Sequence, residues 1–433
     1  MKLNKKVAYA LIGAGSLTLY GIFNTYTLFF YTDVVKLNAR WVGVGWFLFS
    51  FWNAINDVAG GWISDKSLGI VKKRGTLIRL LALPTAISFA MLWNPIYASI
   101  WHFLLVISIF DFFYSLLTVN YGAMFPQLFR AGKERIRASA INRAVGYGIG
   151  GGLTALAPLI YGEIGWGAMG VYLGILAVGF YFLGTKQLNE KQATPEETKF
   201  VVTGQFREAL KNIPFRYVIG VGICLRFVLA VFVSLIPFYT KYVLRLSGYN
   251  SSVLLLAFIG ASLVGLIYWE RIFKIRGIRN TMLLSLGVAI VLLIPFMMAM
   301  SVEVTVLLLI LIGGASGGGM LMGPDLLFAE VLDEDYRNTK QRREGVYTGL
   351  LGFTFRFPPA LVGIILGELL TWAEYDAGLG VLDQTVEVSW VIKMFFAIGP
   401  MVAMFLGMVF LWKYPLKNEV ERKLLAEATK KTF

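Results

Sequence analysis

The sequence predicts an all-α membrane protein with twelve transmembrane helices arranged as two six-helix bundles. Three observations carry this. Of 433 residues, 57% are hydrophobic and only 15% charged, against about 25% charged in soluble domains, and the mean hydropathy is +0.67. Segments 7–32, 168–185, 282–301 and 304–324 contain no Asp, Glu, Lys or Arg, and runs of roughly 18–25 apolar residues cross a bilayer as a helix. They are continuous rather than alternating, which selects helices over a barrel. Finally, the basic residues fall almost entirely into alternate connections.

The predicted spans are 7–31, 41–63, 76–93, 98–123, 138–162, 168–185, 215–240, 251–269, 281–300, 303–328, 345–371 and 388–412. Lys2, Lys5 and Lys6 before the first span imitate a secretory signal. That run is too long for one and further spans follow directly, so it reads as a retained helix. In the fifth span, Gly146-Tyr-Gly-Ile-Gly150-Gly151 spells a dinucleotide fingerprint. No strand precedes it, so close helix packing and bending explain those glycines, as they do Gly313–Gly319 in the tenth span. Pro358-Pro359 should break or kink the eleventh span. The tail from Glu419 to Lys431 reads as a charged cytoplasmic helix touching lipid headgroups.

The formal charge of +14 could suggest nucleic acid, but its distribution excludes that reading. With the N-terminus inside, the inner segments hold 30 basic residues, while the outer loops hold only Lys36, Arg40, Lys241 and Arg245. This bias places both termini in the cytoplasm and the protein in the cell membrane, with anionic lipid as the partner of the charge. One cysteine, Cys224, and one histidine, His102, exclude internal disulfides, zinc-finger spacing and His-based triads. No Walker motif is present, so neither an enzyme nor an ATP-driven pump is expected, and no cofactor. The expected state is a monomer.

The polar 187–213 segment separates a first bundle (1–186) from a second (214–413), followed by a tail (414–433). Met124-Phe-Pro-Gln-Leu128 recurs as Met322-Gly-Pro-Asp-Leu326, and Arg74-Gly75 as Arg276-Gly277, after the second and eighth spans. Two parallel six-helix repeats are the major facilitator architecture, the fold of secondary transporters.

A buried charge costs about 2.5–3.5 kcal/mol on insertion scales, so each intramembrane one calls for an explanation. Asn53, Asn56 and Asp57 stand at i, i+3 and i+4, on one face of the second span. Asp111, Ser115, Thr118 and Gly122 form a facing stripe in the fourth. Together they could cage a hard monovalent cation, Na+ first, with a shielded Asp57 running on H+ as the alternative. A snorkelling or structurally paired Asp57 is the competing reading. Asp111 with Tyr20, Asn24, Asn120 and Tyr121 could build a polar solute pocket.

Several of these motifs carry a family likeness. Phe30-Tyr-Thr-Asp-Val-Val35, Trp52-Asn-Ala-Ile-Asn-Asp57, Gly61-Trp-Ile-Ser-Asp65, Asn120-Tyr-Gly-Ala-Met-Phe-Pro126 and Arg342-Arg-Glu-Gly-Val-Tyr347 occur in order through both halves. The chain resembles the glycoside–pentoside–hexuronide:cation symporters, the melibiose permease-like family. The resemblance implies cation-coupled solute symport. It also implies a hydroxyl ligand at Ser115, substrate contact at Arg143, and a link between cation and substrate sites at Arg356, whose other reading is a structural counter-ion. The chain departs from the family's pattern too: Asn53 stands where the family has Asp. Leu17, Thr118 and Gly122 replace two acids and a stacking tryptophan, which argues against a galactoside. Thr118 also fits the related lysolipid symporters, so a sugar-class solute and a lysolipid are both carried forward. A non-transporting receptor or scaffold is disfavoured, because its buried charges would serve nothing.

Overall fold

The computed structural model describes residues 4–129, 132–188, 202–246, 248–298, 301–340 and 344–416. The Asp57 and Asp65 side chains, the Arg342-Arg343 pair and the tail from Glu419 lie outside what is described.

Among the described residues the chain is helical, with no strand. The helices are α1 (Lys5–Phe29), α2 (Ala39–Val71), α3 (Arg74–Leu92), α4 (Ile100–Leu128), α5 (Gly132–Val145), α6 (Gly152–Lys186), α7 (Val202–Lys211) and α8 (Ile213–Phe238). They continue as α9 (Gly248–Arg276), α10 (Ile278–Leu293), α11 (Val302–Ser316), α12 (Gly323–Thr339), α13 (Glu344–Thr354), α14 (Phe357–Trp372) and α15 (Val386–Lys413). Ten stretches among the described residues are long and apolar enough to cross a membrane. One of these, Arg137–Lys186, turns at Gly165 and supplies two spans. With the 33-residue α2, the number reaches twelve.

Helix starts are set by side chains that accept the otherwise orphaned backbone N–H groups. Asn38 accepts from Arg40 and Trp41 at the head of α2, Ser99 from His102 at α4, and Asn212 from Phe215 at α8. Within the spans, hydroxyls return to the carbonyl four residues back, as at Thr18 (2.8 Å), Thr27 (2.6 Å) and Thr85 (2.8 Å). With no water in the hydrocarbon, that is the nearest acceptor.

The first glycine-rich run is a π-helical turn, Gly146–Gly151, and the second passes from the end of α11 into another, Gly317–Met322. A Cβ on Gly150 would lie 2.7 Å from Leu17 Cβ, and one on Gly317 would lie 2.6 Å from the Ser262 carbonyl. Gly146, Gly150, Gly313 and Gly317–Gly319 are thus packing glycines inside helices, while Gly148 and Gly314 face open space. The prolines at 358 and 359 open α14, just after a two-residue break at Phe355–Arg356.

The chain divides into two compact units. The first comprises Met1–Thr198, Leu246–Ser252 and Gly363–Gln384; the second comprises Lys199–Arg245, Val253–Val362 and Thr385–Phe433. In the first, α1 and α3 pack on α6, and α2 and α3 on α4; in the second, α15 packs on α8 and α10. The 363–384 segment docks on the head of α2. A Cβ on Gly367 would meet the Ala39 carbonyl at 2.6 Å, Arg40 pairs with Glu368 at 2.8 Å, and Tyr375 Oη donates to Asp33 at 2.9 Å.

Gly165 has φ 83° and ψ 162°, a conformation open essentially to glycine alone. Gly165→Ala is expected to cost about 1–3 kcal/mol, read as a lower thermal midpoint in detergent. Gly162→Ala, with open space around its Cβ, should be neutral or stabilising.

Candidate functional site

The polar stripe of α2 meets the polar stripe of α4 in a ladder whose rungs are about one turn apart. Trp52 Nε1 donates to the Ser108 carbonyl at 3.2 Å. Asn56 Nδ2 donates to Asp111 twice, to its carbonyl at 3.0 Å and its Oδ2 at 2.8 Å. Gly60 comes next, where a Cβ would lie 3.4 Å from Ser115 Oγ. Ser64 Oγ then donates to Asn120 Oδ1 at 2.8 Å. Asn53, Asn56, Asp111 and Ser115 are each no more than 3% exposed.

One oxygen in this ladder is left over. Asn53 Oδ1 is buried and accepts no hydrogen bond among the described residues. An unsatisfied buried polar atom costs about 1–3 kcal/mol and calls for a reason. It stands one turn of helix from Asp57. Thr118 is half-buried and donates to the Tyr114 carbonyl at 3.0 Å, a use that leaves its lone pairs to accept.

The five residues expected to share a solute pocket fall into two clusters. Tyr20 stacks on Tyr114 with centroids 5.0 Å apart, one turn along α4 from Asp111. Asn24 Nδ2 donates to the Tyr20 carbonyl at 2.8 Å, within α1. Asn120 and Tyr121 lie nine and ten residues beyond Asp111, about 14 Å along the helix. Asn120 is fully buried, accepting from Ser64 and from Arg74 (3.3 Å) and donating to the Leu116 carbonyl. Tyr121 stacks on Tyr9 at 4.4 Å and donates to Asn142 Oδ1 at 2.6 Å. Helical rise separates this pair from the Asp111 cluster, and their side chains bond to Ser64, Arg74 and Asn142.

Arg143 is exposed on α5, next to Asn142. Arg356 is half-buried in the break between α13 and α14, in the second unit. Beside it the Arg226 guanidinium lies over the Phe355 ring at 5.2 Å, a pairing the sequence did not reveal. Asp325 is exposed in the first turn of α12. Leu17 fits against the glycines of the fifth span, so an apolar contact fills the position at which the resemblance expects an acid.

Sequence comparison identifies the family. A family model described as MFS/sugar transport protein matches residues 8–418. The chain belongs to this family. Its members are transporters, and the fold is the major facilitator fold. The isoprimeverose transporter of Lactiplantibacillus pentosus is 24% identical over 455 residues, covering 99% of this chain and 91% of its own length. Among solved structures, the nucleoside transporter NupG superposes with TM-score 0.68 at 16% identity, covering 95% of this chain and all of its own. A D-xylose–proton symporter gives TM-score 0.66 at 13% identity, covering 96% and 98%. These two likenesses concern the fold alone. The likeness to glycoside–pentoside–hexuronide symporters agrees with this family.

The fold also exposes an internal repeat that the motif comparison missed. Phe30-Tyr31-Thr32 and Phe238-Tyr239-Thr240 close the first and seventh spans. Each runs into a π-helical turn, Phe30–Val34 or Tyr239–Val243, and then a left-handed residue, Lys36 or Arg245.

Asn56→Ala removes the amide that ties α2 to α4 and strips Asp111 of a donor. The expected loss is about 1–3 kcal/mol, measured by unfolding in detergent. Ser67→Ala, whose hydroxyl only returns to the Ile63 carbonyl of its own helix at 2.7 Å, should change little.

Proposed function

We propose that this protein is a secondary active transporter carrying a small polar solute of the sugar or glycoside class together with a monovalent cation, by alternating access. The observation that supports coupling is the buried Asn53 Oδ1, unpartnered among the described residues and one helical turn from the acidic position 57. A hard cation takes oxygen ligands in place of water. Asp57 would supply the single negative charge, and Asn53 Oδ1, Ser115 Oγ and Thr118 Oγ1 neutral oxygens. One carboxylate balances one unit of charge, so the site suits Na+ better than a divalent ion. Asn56 serves as the tether that holds α2 against Asp111.

The solute side is assigned, within the first unit, to Asp111, Tyr20 and Asn24; Arg356, in the second unit, keeps the coupling role that the family resemblance implies. The isoprimeverose relative, matched along nearly the whole chain, supports a sugar-class solute. The apolar packing of Leu17 argues against the paired-acid readout of galactosides. Both chain ends face the cytoplasm of the cell membrane in this reading, on the 30-to-4 distribution of basic residues. The α2–α14 seam is then the outer closure, released when access alternates.

A thermal-shift screen of the purified chain tests both halves of the proposal. Isoprimeverose, pentoses, other glycosides, uronides and a lysolipid are compared with and without Na+. A glycoside or pentose should stabilise the protein, more so in Na+, and Asp57→Asn should abolish the Na+ increment. An increment that survives Asp57→Asn removes the cation site, and stabilisation by lysolipid alone replaces the sugar-class solute. A proton-coupled carrier would show solute stabilisation that follows pH and ignores Na+.

Gly43 sits against the Gly363 carbonyl at the outer seam. Gly43→Leu should wedge the seam, slowing solute uptake into proteoliposomes while solute binding in detergent persists.

A further inference from the structure

The second unit carries a groove that solute transport does not require. It lies between α9, α10 and α11, has a volume of about 790 Å3, and is walled by Ala261, Val264, Tyr268, Ile272, Leu284 and Ile310 among others. That volume falls in the roughly 300–1,000 Å3 range of small-molecule sites. Its base is rigidly built. A Cβ on Gly265 would lie 2.6 Å from the Gly314 carbonyl, and Trp269 Nε1 donates to the same carbonyl at 2.8 Å. The α9 and α11 backbones are therefore held in close approach, as small residues allow in membrane helices. Val264 and Tyr268 are 69% and 63% exposed, and in a membrane helix such apolar exposure faces lipid.

Charge at one end of the groove says which lipid fits. The α9 face that lines the groove continues from Ile272 to Arg276, one turn and about 6 Å further on. Between residues 253 and 302 the sequence has Arg271, Lys274, Arg276 and Arg279 but a single acid, Glu270. Glu270 is taken by Lys274 at 2.6 Å. Arg279 Nη2 donates to the Trp412 carbonyl at 2.6 Å. Arg271 and Arg276 are exposed at this end of α9; Arg271 shares Glu270 with Lys274, so the end of the apolar channel carries a net excess of cations. Guanidinium groups bind phosphate through paired N–H donors.

We propose that this groove is a specific site for one anionic phospholipid, its acyl chain lying between α9, α10 and α11 and its phosphate meeting Arg271 and Arg276. A ligand with this division, apolar along its length and anionic at one end, is the chemistry that the groove complements. Basic pockets between transmembrane helices capture anionic headgroups in this way.

Native mass spectrometry of the full purified chain tests it, with phosphatidylglycerol and phosphatidylcholine of identical acyl chains titrated in competition. One phosphatidylglycerol per chain should be retained in preference to phosphatidylcholine. Arg271→Gln and Arg276→Gln should each weaken that retention about 5-fold, the equivalent of about 1 kcal/mol per basic residue at the membrane surface. Arg276→Lys, which keeps the charge but loses the paired donors, should weaken it less than Arg276→Gln. Ala261→Trp fills the groove and should displace the lipid, with an unchanged unfolding midpoint confirming the fold; if that variant fails to fold, the two surface arginine variants decide alone. Equal retention of the two lipids, or phosphatidylglycerol retention unaltered by both Arg→Gln variants, would overturn the proposal.

Discussion

The hydrogen bond from Asn56 Nδ2 to Asp111 Oδ2, 2.8 Å long and buried, sets the register of α2 on α4. Lipid offers polar groups no water, so a stripe of amides and hydroxyls on one helix must find its partners on another. Once Asn56 is fixed to Asp111, Gly60 faces Ser115 and Ser64 reaches Asn120. The same register leaves Asn53 Oδ1 with no donor among the described residues. The proposed cation site accounts for that cost. Satisfying every oxygen within the protein would leave nothing to exchange for a hydration shell.

The packing around this ladder divides the first unit by purpose. One end is closed by committed bonds: Asn120 with Ser64 and Arg74, and Tyr121 with Tyr9 and Asn142. Further along, Tyr20, Tyr114, Asn24 and Asp111 combine aromatic faces with polar atoms, the combination that a polar ring-shaped solute uses. Leu17, seated against the glycine turn of the fifth span, explains how the fold accommodates the loss of an acid there. The groove on the second unit obeys the same chemistry with the opposite sign, apolar walls ending in exposed arginines. Its occupant is drawn from the bilayer rather than from water.

The spans were legible because a bilayer demands long apolar runs whatever the packing. The break between the fifth and sixth spans, expected between 162 and 168, is found at Gly165. Helix ends were less legible. Helix α2 runs to Val71 and α9 to Arg276, well past the predicted 63 and 269, because polar turns extend a helix beyond the hydrocarbon. The face shared by Asn53 and Asn56 could be read from spacing alone. Which α4 residue meets Asn56 could not, since sequence periodicity gives a helix its face but not its register against a neighbour. That gap is why Asn120 and Tyr121 were grouped with Asp111. The Phe-Tyr-Thr repeat at 30–32 and 238–240 was visible in the letters and marks the two halves better than the motifs first compared.

The central claim is that the α2–α4 ladder carries an ion with the solute, and flux measured in both directions of coupling tests it most directly. In proteoliposomes holding the purified chain, an inward gradient of the transported sugar-class solute is imposed with no ion gradient, and entry of labelled Na+ and of protons is followed alongside solute entry. The account predicts Na+ moving uphill with the solute at a fixed ratio. Solute entering with no accompanying movement of Na+ or protons would contradict it.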